Sequence, residues 1–195
     1  MNNEFYLQEA RYFQDRFNSR GLADQLEKTR RHNEFLESDR EIIRKSPMFF
    51  LATSSPDGYP DCSVKGGNPG FVKIVNSSTL IFPDYDGNGM YRSLGNIASN
   101  PNIGMLFLEY EGGRRKLRIN GQASVSEEPD ILINLPGAKL AVIVKVRDIF
   151  PNCPRYVPLL EVKQSSAYNP DYGYAPPEPD WKSKDDLKDF VPKKE

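Results

Sequence analysis

The sequence predicts a mainly β domain, a sandwich or a barrel, with helices flanking it. Residues 48–162 contain about six or seven short β-prone runs, separated by turn formers at the 8–12-residue spacing typical of such folds. Hydrophobic side chains make up only 38% of the chain and are concentrated in this central part. Little helical pattern lies between the runs, which favours an all-β core.

The β-prone runs and the helical patterns between them have clear boundaries in the sequence. A short helix is predicted at 90–99, before Asn100-Pro101, and a helical turn is predicted at 128–135. Strands are predicted at 48–54, 61–65, 71–75, 79–82, 102–110, 116–125 and 138–150.

Residues 1–47 are predicted to form an N-terminal helical extension, with helix over 4–46. Apolar residues from Phe5 to Phe17 recur close to a period of 3.6, and Gly21 is expected to interrupt this pattern. A third helix is expected to begin at Ser38, where Ser38 and Glu41 have the spacing of a capping box. Pro47 should end that helix, because proline disfavours helical backbone in the residue before it.

Residues 163–195 form a C-terminal tail that differs in composition from the central domain of residues 48–162. The tail is rich in proline and charge and has no hydrophobic period, which favours a disordered segment. Its three tyrosines and Trp181 favour a different interpretation, an arm lying across a partner subunit.

Charge and hydropathy exclude several classes of function. The chain has 26 basic and 27 acidic side chains, so it offers no net positive charge for nucleic acid. No apolar run approaches the roughly 18 residues that a membrane span needs. The N-terminus lacks the basic-then-apolar layout of a signal peptide, and we expect a cytoplasmic protein.

Cysteine and histidine are too few for a zinc site or for a catalytic triad. The two cysteines, Cys62 and Cys153, are far apart, and we expect both to be buried free thiols. The only histidine, His32, is expected to be solvated on a charged helix. Any chemistry must therefore come from a cofactor.

Two predicted strands carry polar side chains on one face. Lys116, Arg118, Asn120, Gln122 and Ser124 alternate with apolar residues, and Asp61, Ser63 and Lys65 alternate with Cys62 and Val64. Pattern alone favours solvated faces. The alternative is that the two polar faces line the site of an anionic ligand.

Two glycine-rich loops and a proline-flanked corner are further candidates for binding. Loops 65–70 and 86–89 would let backbone amides approach a phosphate, and the second runs into the helix that carries Arg92 and Ser93. Most such loops are only turns. Corner 151–156 either ends a strand with a surface salt bridge or places Arg155 rigidly for a ligand.

Several of these segments together resemble a known family. The segments CS-x-KGG-x-PGFV, PDYDGNGM and FPNCPRY, in this order, are similar to the pyridoxamine 5′-phosphate oxidase-related flavoproteins. The similarity extends from about Phe13 to Tyr156. It implies a six-stranded split β-barrel and a homodimer with two flavin mononucleotide (FMN) sites between the subunits.

The resemblance also implies which residues bind FMN. The strand with Lys65 runs along the flavin ring in that family, and the loop and helix start from Pro83 to Ser93 meet the ribityl chain and phosphate. The implied cofactor-binding residues are Ser63, Val64, Lys65, Gly66, Pro83, Tyr85, Asn88, Met90, Ser93, Arg118, Gln122, Cys153, Arg155 and Tyr156.

The expected function is an FMN-dependent oxidoreductase acting on an unidentified small molecule. Nothing after Tyr156 resembles the segment that binds vitamin B6 phosphate in the oxidase itself, so we do not expect oxidation of that substrate. The alternatives are a non-catalytic flavin-binding redox sensor or store, and a haem-handling relative, against which the scarcity of histidine argues.

Overall fold

The computed structural model describes residues 5–110 and 112–192. The expected helix start at residue 4 and the last three residues of the tail lie outside the described residues. The helices are α1 (Gln8–Arg16), α2 (Arg20–Arg30), α3 (Glu37–Lys45), α4 (Arg92–Ser99) and α5 (Pro129–Leu132). The strands are β1 (Met48–Ser54), β2 (Pro60–Gly66), β3 (Lys73–Ile74), β4 (Thr79–Asp84), β5 (Asn102–Leu108), β6 (Lys116–Ser126) and β7 (Leu140–Asn152).

The strands form one antiparallel sheet in the order β2-β1-β5-β6-β7-β4-β3. This confirms the mainly β fold with flanking helices. The sheet has seven strands, because Lys73–Ile74 pairs with β4 as a separate short strand, where the resemblance implied six. Among the described strands no ladder joins β2 to β3, so the sheet is open and keeps two edges.

Aromatic side chains on the inner face of the sheet form the centre of the core. The ring of Phe49 lies 5.0 Å from the rings of Phe82 and Phe107, and all three side chains are almost completely buried. Helix α3 contributes Ile43 to this core, and α4 contributes Ile97. Burial of these apolar side chains is the main favourable contribution to folding.

The N-terminal extension is helical as expected, but two of its local signals are corrected by the structure. The helix is interrupted before Gly21, at Asn18, whose φ of 51° is left-handed, and Gly21 lies inside α2. The N-terminus of α3 is capped by Asp39, which accepts a 2.9 Å hydrogen bond from the Leu36 N–H. This bond takes the place of the Ser38–Glu41 capping box. Helix α3 ends at Lys45, as the Ser46-Pro47 pair predicts.

His32 is neither helical nor fully solvated, contrary to the expectation. Its backbone pairs with Ile149 of β7, and its Nε2 lies 2.8 Å from Asp39 Oδ2. Arg31 binds the buried carboxylate of Asp148 at 2.6 Å. The His32–Ile149 pairing and the Arg31–Asp148 ion pair attach the N-terminal extension to β7. The ion pair also gives the buried carboxylate of Asp148 the charged partner that it needs.

The C-terminal tail contacts the central domain of its own chain. Two 3₁₀ turns, Asp180–Ser183 and Lys188–Phe190, interrupt an otherwise irregular course, and Pro170 is buried. Part of the tail thus packs against the domain that precedes it, through Pro170 and through the hydrogen bonds of Asn169 and Lys182, a contact that neither interpretation of its composition included. Within the described residues, no helix is long and apolar enough to cross a membrane.

Gly121 allows β6 and β7 to approach closely at an irregularity in their pairing. The register shifts between Asn120 and Gly121, so that Gly121 lies opposite Val146. A Cβ atom on Gly121 would lie 2.4 Å from the carbonyl oxygen of Lys145. Any larger residue must push the two central strands apart.

We predict that Gly121→Ala lowers the free energy of unfolding by about 1–3 kcal/mol, the usual cost of overpacking a core. The matched control is Gly95→Ala in α4, where nothing lies within 4 Å of the added Cβ. Alanine should stabilise this helix by about 0.5–1 kcal/mol. Urea unfolding of both variants is the measurement, and equal effects would contradict the close approach at Gly121.

Candidate functional site

The pleat of β2 sends its polar side chains toward the core side of the sheet. Lys65 pairs with Phe49 and Ser63 pairs with Leu51, and both partners on β1 are core residues. Residues directly opposite in an antiparallel pair have side chains on the same face. The polar residues of β2 therefore lie at the margin of the core, half-buried, at an open edge of the sheet.

The other face of β2 is exposed. Val64 is 53% exposed, and Cys62 is exposed beside it. Cys153 is also exposed, so neither thiol is buried as the sequence analysis expected. A hydrogen bond from the backbone N–H of Arg155, with its guanidinium nearby, lowers the pKa of the Cys153 thiol.

Helix α4 brings a second set of polar groups to the β2 edge. The Ser63 and Ser93 hydroxyl oxygens lie 3.1 Å apart, and Ser93 is buried in the first turn of α4. Next to this pair, Arg92 Nε lies 3.5 Å from Asp61 Oδ1. Tyr91, with φ of 50°, turns the chain sharply into the helix. The two hydroxyls thus lie beside the first turn of α4, where the backbone amides have no partner within the helix and can bind an anion.

Lys65 provides a cation at this edge. Its Nζ lies 3.9 Å from Asp84 Oδ1 at the end of β4, and both side chains are mostly buried. This distance exceeds a hydrogen bond, so the ammonium group keeps donors for a ligand. Burial raises the pKa of Asp84, although the charge of Lys65 acts in the opposite direction. Asp84 could not be found from the sequence, because no local pattern connects β4 with β2.

The loop after β4 borders the polar groups at the β2 edge. Pro83 is buried in β4, and burial raises the pKa of Tyr85, which is half-buried. Asn88 accepts a 3.0 Å hydrogen bond from the Met90 N–H, and both residues are exposed. Gly89, with φ of 74°, takes a backbone conformation that favours glycine. The loop thus has a defined shape next to Ser93.

Arg118 and Gln122 lie on the opposite face of the sheet. Leu106 pairs with both Arg118 and Phe50, and Phe50 in turn pairs with Val64. Arg118 therefore shares the exposed face of Val64, and Gln122 follows it on the same face. Within a single chain, the side chains of Arg118 and Gln122 are therefore separated from the side chain of Lys65 by the sheet.

The corner after β7 is also separate from the β2 edge. Cys153, Arg155 and Tyr156 are exposed, and Tyr156 reaches 92% exposure. The guanidinium of Arg155 lies 6.0 Å from the centre of the Tyr156 ring. In the sheet, β7 is four strand positions from β2. Within one chain, the predicted site residues thus fall into three groups.

Comparisons with known proteins agree with this fold. The family model described as pyridoxamine 5′-phosphate oxidase matches residues 35–144, more than half of the chain. No curated protein sequence matches the chain.

Solved structures give more distant similarities. A conserved hypothetical protein from Mycobacterium tuberculosis is 16% identical with a TM-score of 0.50, covering 70% of this chain and 98% of its own. HupZ from Group A Streptococcus is 19% identical with a TM-score of 0.48, covering 60% and 93%. An FMN-binding protein from Syntrophomonas wolfei is 16% identical with a TM-score of 0.41, covering 64% and 91%. At these identities the similarity concerns the fold alone.

Proposed function

Since the chain belongs to the pyridoxamine 5′-phosphate oxidase family, we propose that it binds FMN between two copies of itself. We further propose that it is an oxidoreductase for a small molecule. The observation that carries the proposal is the set of groups at the β2 edge. Lys65, Ser63 and Ser93 gather there beside the first turn of α4.

The chemistry of these groups suits FMN. The hydroxyl of Ser93 and the free amides of α4 would hold the phosphate, because a helix N-terminus and hydroxyl donors favour an anion. Lys65 and Ser63 would hold the flavin ring and its ribityl chain. Bound FMN would supply the redox chemistry by accepting a hydride. The charge of Lys65 near the ring would favour the reduced, more negative flavin.

A second copy of the chain would complete the site. Lys65 and Arg118 lie on opposite faces of the sheet, so both can contact one flavin only if Arg118 comes from another subunit. The exposed face around Val64 is partly apolar, with half-buried Phe50 and Leu106 next to it. Pairing two such faces would bury apolar surface, which favours association.

The charged side chains near the β2 edge point to cofactor chemistry and not to acid–base catalysis by the protein. Asp61 lies close to Arg92, and Asp84 lies close to Lys65. His32 contacts Asp39 in the N-terminal extension, where it is part of the attachment to β7. A redox sensor or store would use the same groups, and turnover of a substrate by the bound flavin distinguishes the enzyme from it.

The proposal predicts that Lys65→Ala weakens FMN binding about 10- to 100-fold, because a charge-assisted hydrogen bond contributes about 1.5–3 kcal/mol. Arg118→Ala should weaken binding by a similar factor. The control is Lys73→Ala, an exposed lysine of β3. Fluorescence titration with FMN measures all three. Wild-type affinity in Lys65→Ala and Arg118→Ala would remove both residues from the site.

A mixed dimer tests whether the site is shared. In a dimer of one Lys65→Ala chain and one Arg118→Ala chain, a shared arrangement leaves one site intact and gives the other both defects. We therefore expect one FMN bound per mixed dimer with wild-type affinity. The two chains carry different tags, and the doubly purified species is titrated. If each site belonged to a single chain, both sites of the mixed dimer would be weak.

We also predict no oxidation of pyridoxine phosphate or pyridoxamine phosphate at rates typical of enzymes. Such a substrate carries a dianionic phosphate that needs its own cationic pocket beside the flavin. At the β2 edge, Lys65 would already bind the flavin, and Arg92 faces the carboxylate of Asp61. Oxygen consumption by the FMN-loaded protein with each phosphate is the measurement. Sustained turnover of either compound would contradict this part of the proposal.

A further inference from the structure

The C-terminal tail contacts both glycine-rich loops that border the candidate site. Residues 169–182 of the tail, which we name the C-terminal strap, bind loop 65–70 at one end and loop 86–89 at the other. Loop 65–70 follows β2 and loop 86–89 follows β4, and these two strands are not neighbours in the sheet. The strap is therefore a direct connection between them.

At its first end the strap is held by amide hydrogen bonds and by packing. Asn169 Nδ2 donates to Asn68 Oδ1 at 3.1 Å, and Asn68 Nδ2 donates to Asp171 Oδ2 at 3.3 Å. Pro170 is buried against Gly137, where an added Cβ would lie only 2.3 Å from the proline ring. This end is thus fixed by geometry as well as by polar contacts.

At its second end the strap is held by an ion pair. Lys182 Nζ lies 2.5 Å from Asp86 Oδ2, and its side chain is only 16% exposed. The other carboxylate oxygen of Asp86 binds Lys139 at 2.6 Å. Hydrogen bonds from Lys139 and Lys182 lower the pKa of Asp86, so this carboxylate is ionised at neutral pH.

The charge of Asp86 matters because its loop leads into the first turn of α4. An uncompensated carboxylate there would repel an anionic ligand. Lys139 and Lys182 offset this charge, and Lys182 at the same time fixes the loop. A loop that is ordered before binding loses less conformational entropy when the ligand arrives.

We propose that Lys182 and Asn169 are positioning residues, which hold loops 65–70 and 86–89 in the geometry that binds the flavin. This inference rests on the proposed FMN site and assigns to the tail a role in its affinity. The strap acts through the loops and not by direct contact with the cofactor.

The test compares Lys182→Met with Lys182→Arg in the full-length chain. The matched control is Lys188→Met. Among the described residues, the only ion pair of the Lys188 side chain is with Asp185, at 2.8 Å, and both residues belong to the tail. Hydrogen–deuterium exchange of the FMN-free proteins reports on the two loops. FMN dissociation rates, followed by recovery of flavin fluorescence, report on the site.

We expect faster amide exchange in loop 86–89 of Lys182→Met and unchanged exchange in Lys188→Met. FMN should dissociate roughly 3- to 5-fold faster from Lys182→Met, the upper end of what a partly exposed ion pair contributes. Lys182→Arg should restore both the exchange rate and the dissociation rate, because arginine keeps the positive charge that pairs with Asp86. If the effect came only from lost packing of the lysine side chain, arginine would not restore these rates. Asn169→Ala should produce the same effects in loop 65–70.

Two outcomes would overturn the inference in distinguishable ways. If the wild-type protein binds FMN and Lys182→Met matches Lys188→Met in exchange and dissociation, the strap has no positioning role while the proposed function stands. If the wild-type protein fails to bind added FMN, the proposed function is rejected, and the role of the strap in flavin affinity is rejected with it.

Discussion

In an antiparallel sheet, side chains directly across from each other lie on the same face, and this register decides where each polar group of the protein points. On β2 it places Ser63 and Lys65 on the core side, next to α4 and the end of β4. On β6 it places Arg118 on the opposite, exposed face. A slip of one residue in either strand would move every polar group to the other face, so the candidate site depends on this register.

The open edge at β2 gives the polar groups room. A central strand is covered on both sides by ladder partners, whereas β2 pairs only with β1, and its half-buried side chains can contact a ligand as well as the core. Apart from α4 and the end of β4, the elements around this edge are irregular: the sharp turn at Tyr91, the loop after β4 and the C-terminal strap. The rigid sheet thus supports a site whose remaining walls are loops, a common arrangement in proteins.

Local patterns predicted what depends on neighbours in sequence. The alternation of polar and apolar residues predicted β2 and β6, and Ser46-Pro47 predicted the end of α3, because these signals act within a few residues. Contacts between distant segments could not be predicted in the same way. The approach of Lys65 to Asp84, the pairing of His32 with Ile149 and the bond of Lys182 to Asp86 each join elements that only the fold brings together.

The proposed function requires that this chain binds a flavin, and the most direct measurement is an absorption spectrum of the protein purified from a flavin-replete host, with mass identification of the released cofactor. We predict a yellow protein with flavin bands and about one FMN per chain, as a site repeated by each subunit of a dimer requires. A colourless protein that takes up no added FMN would contradict it.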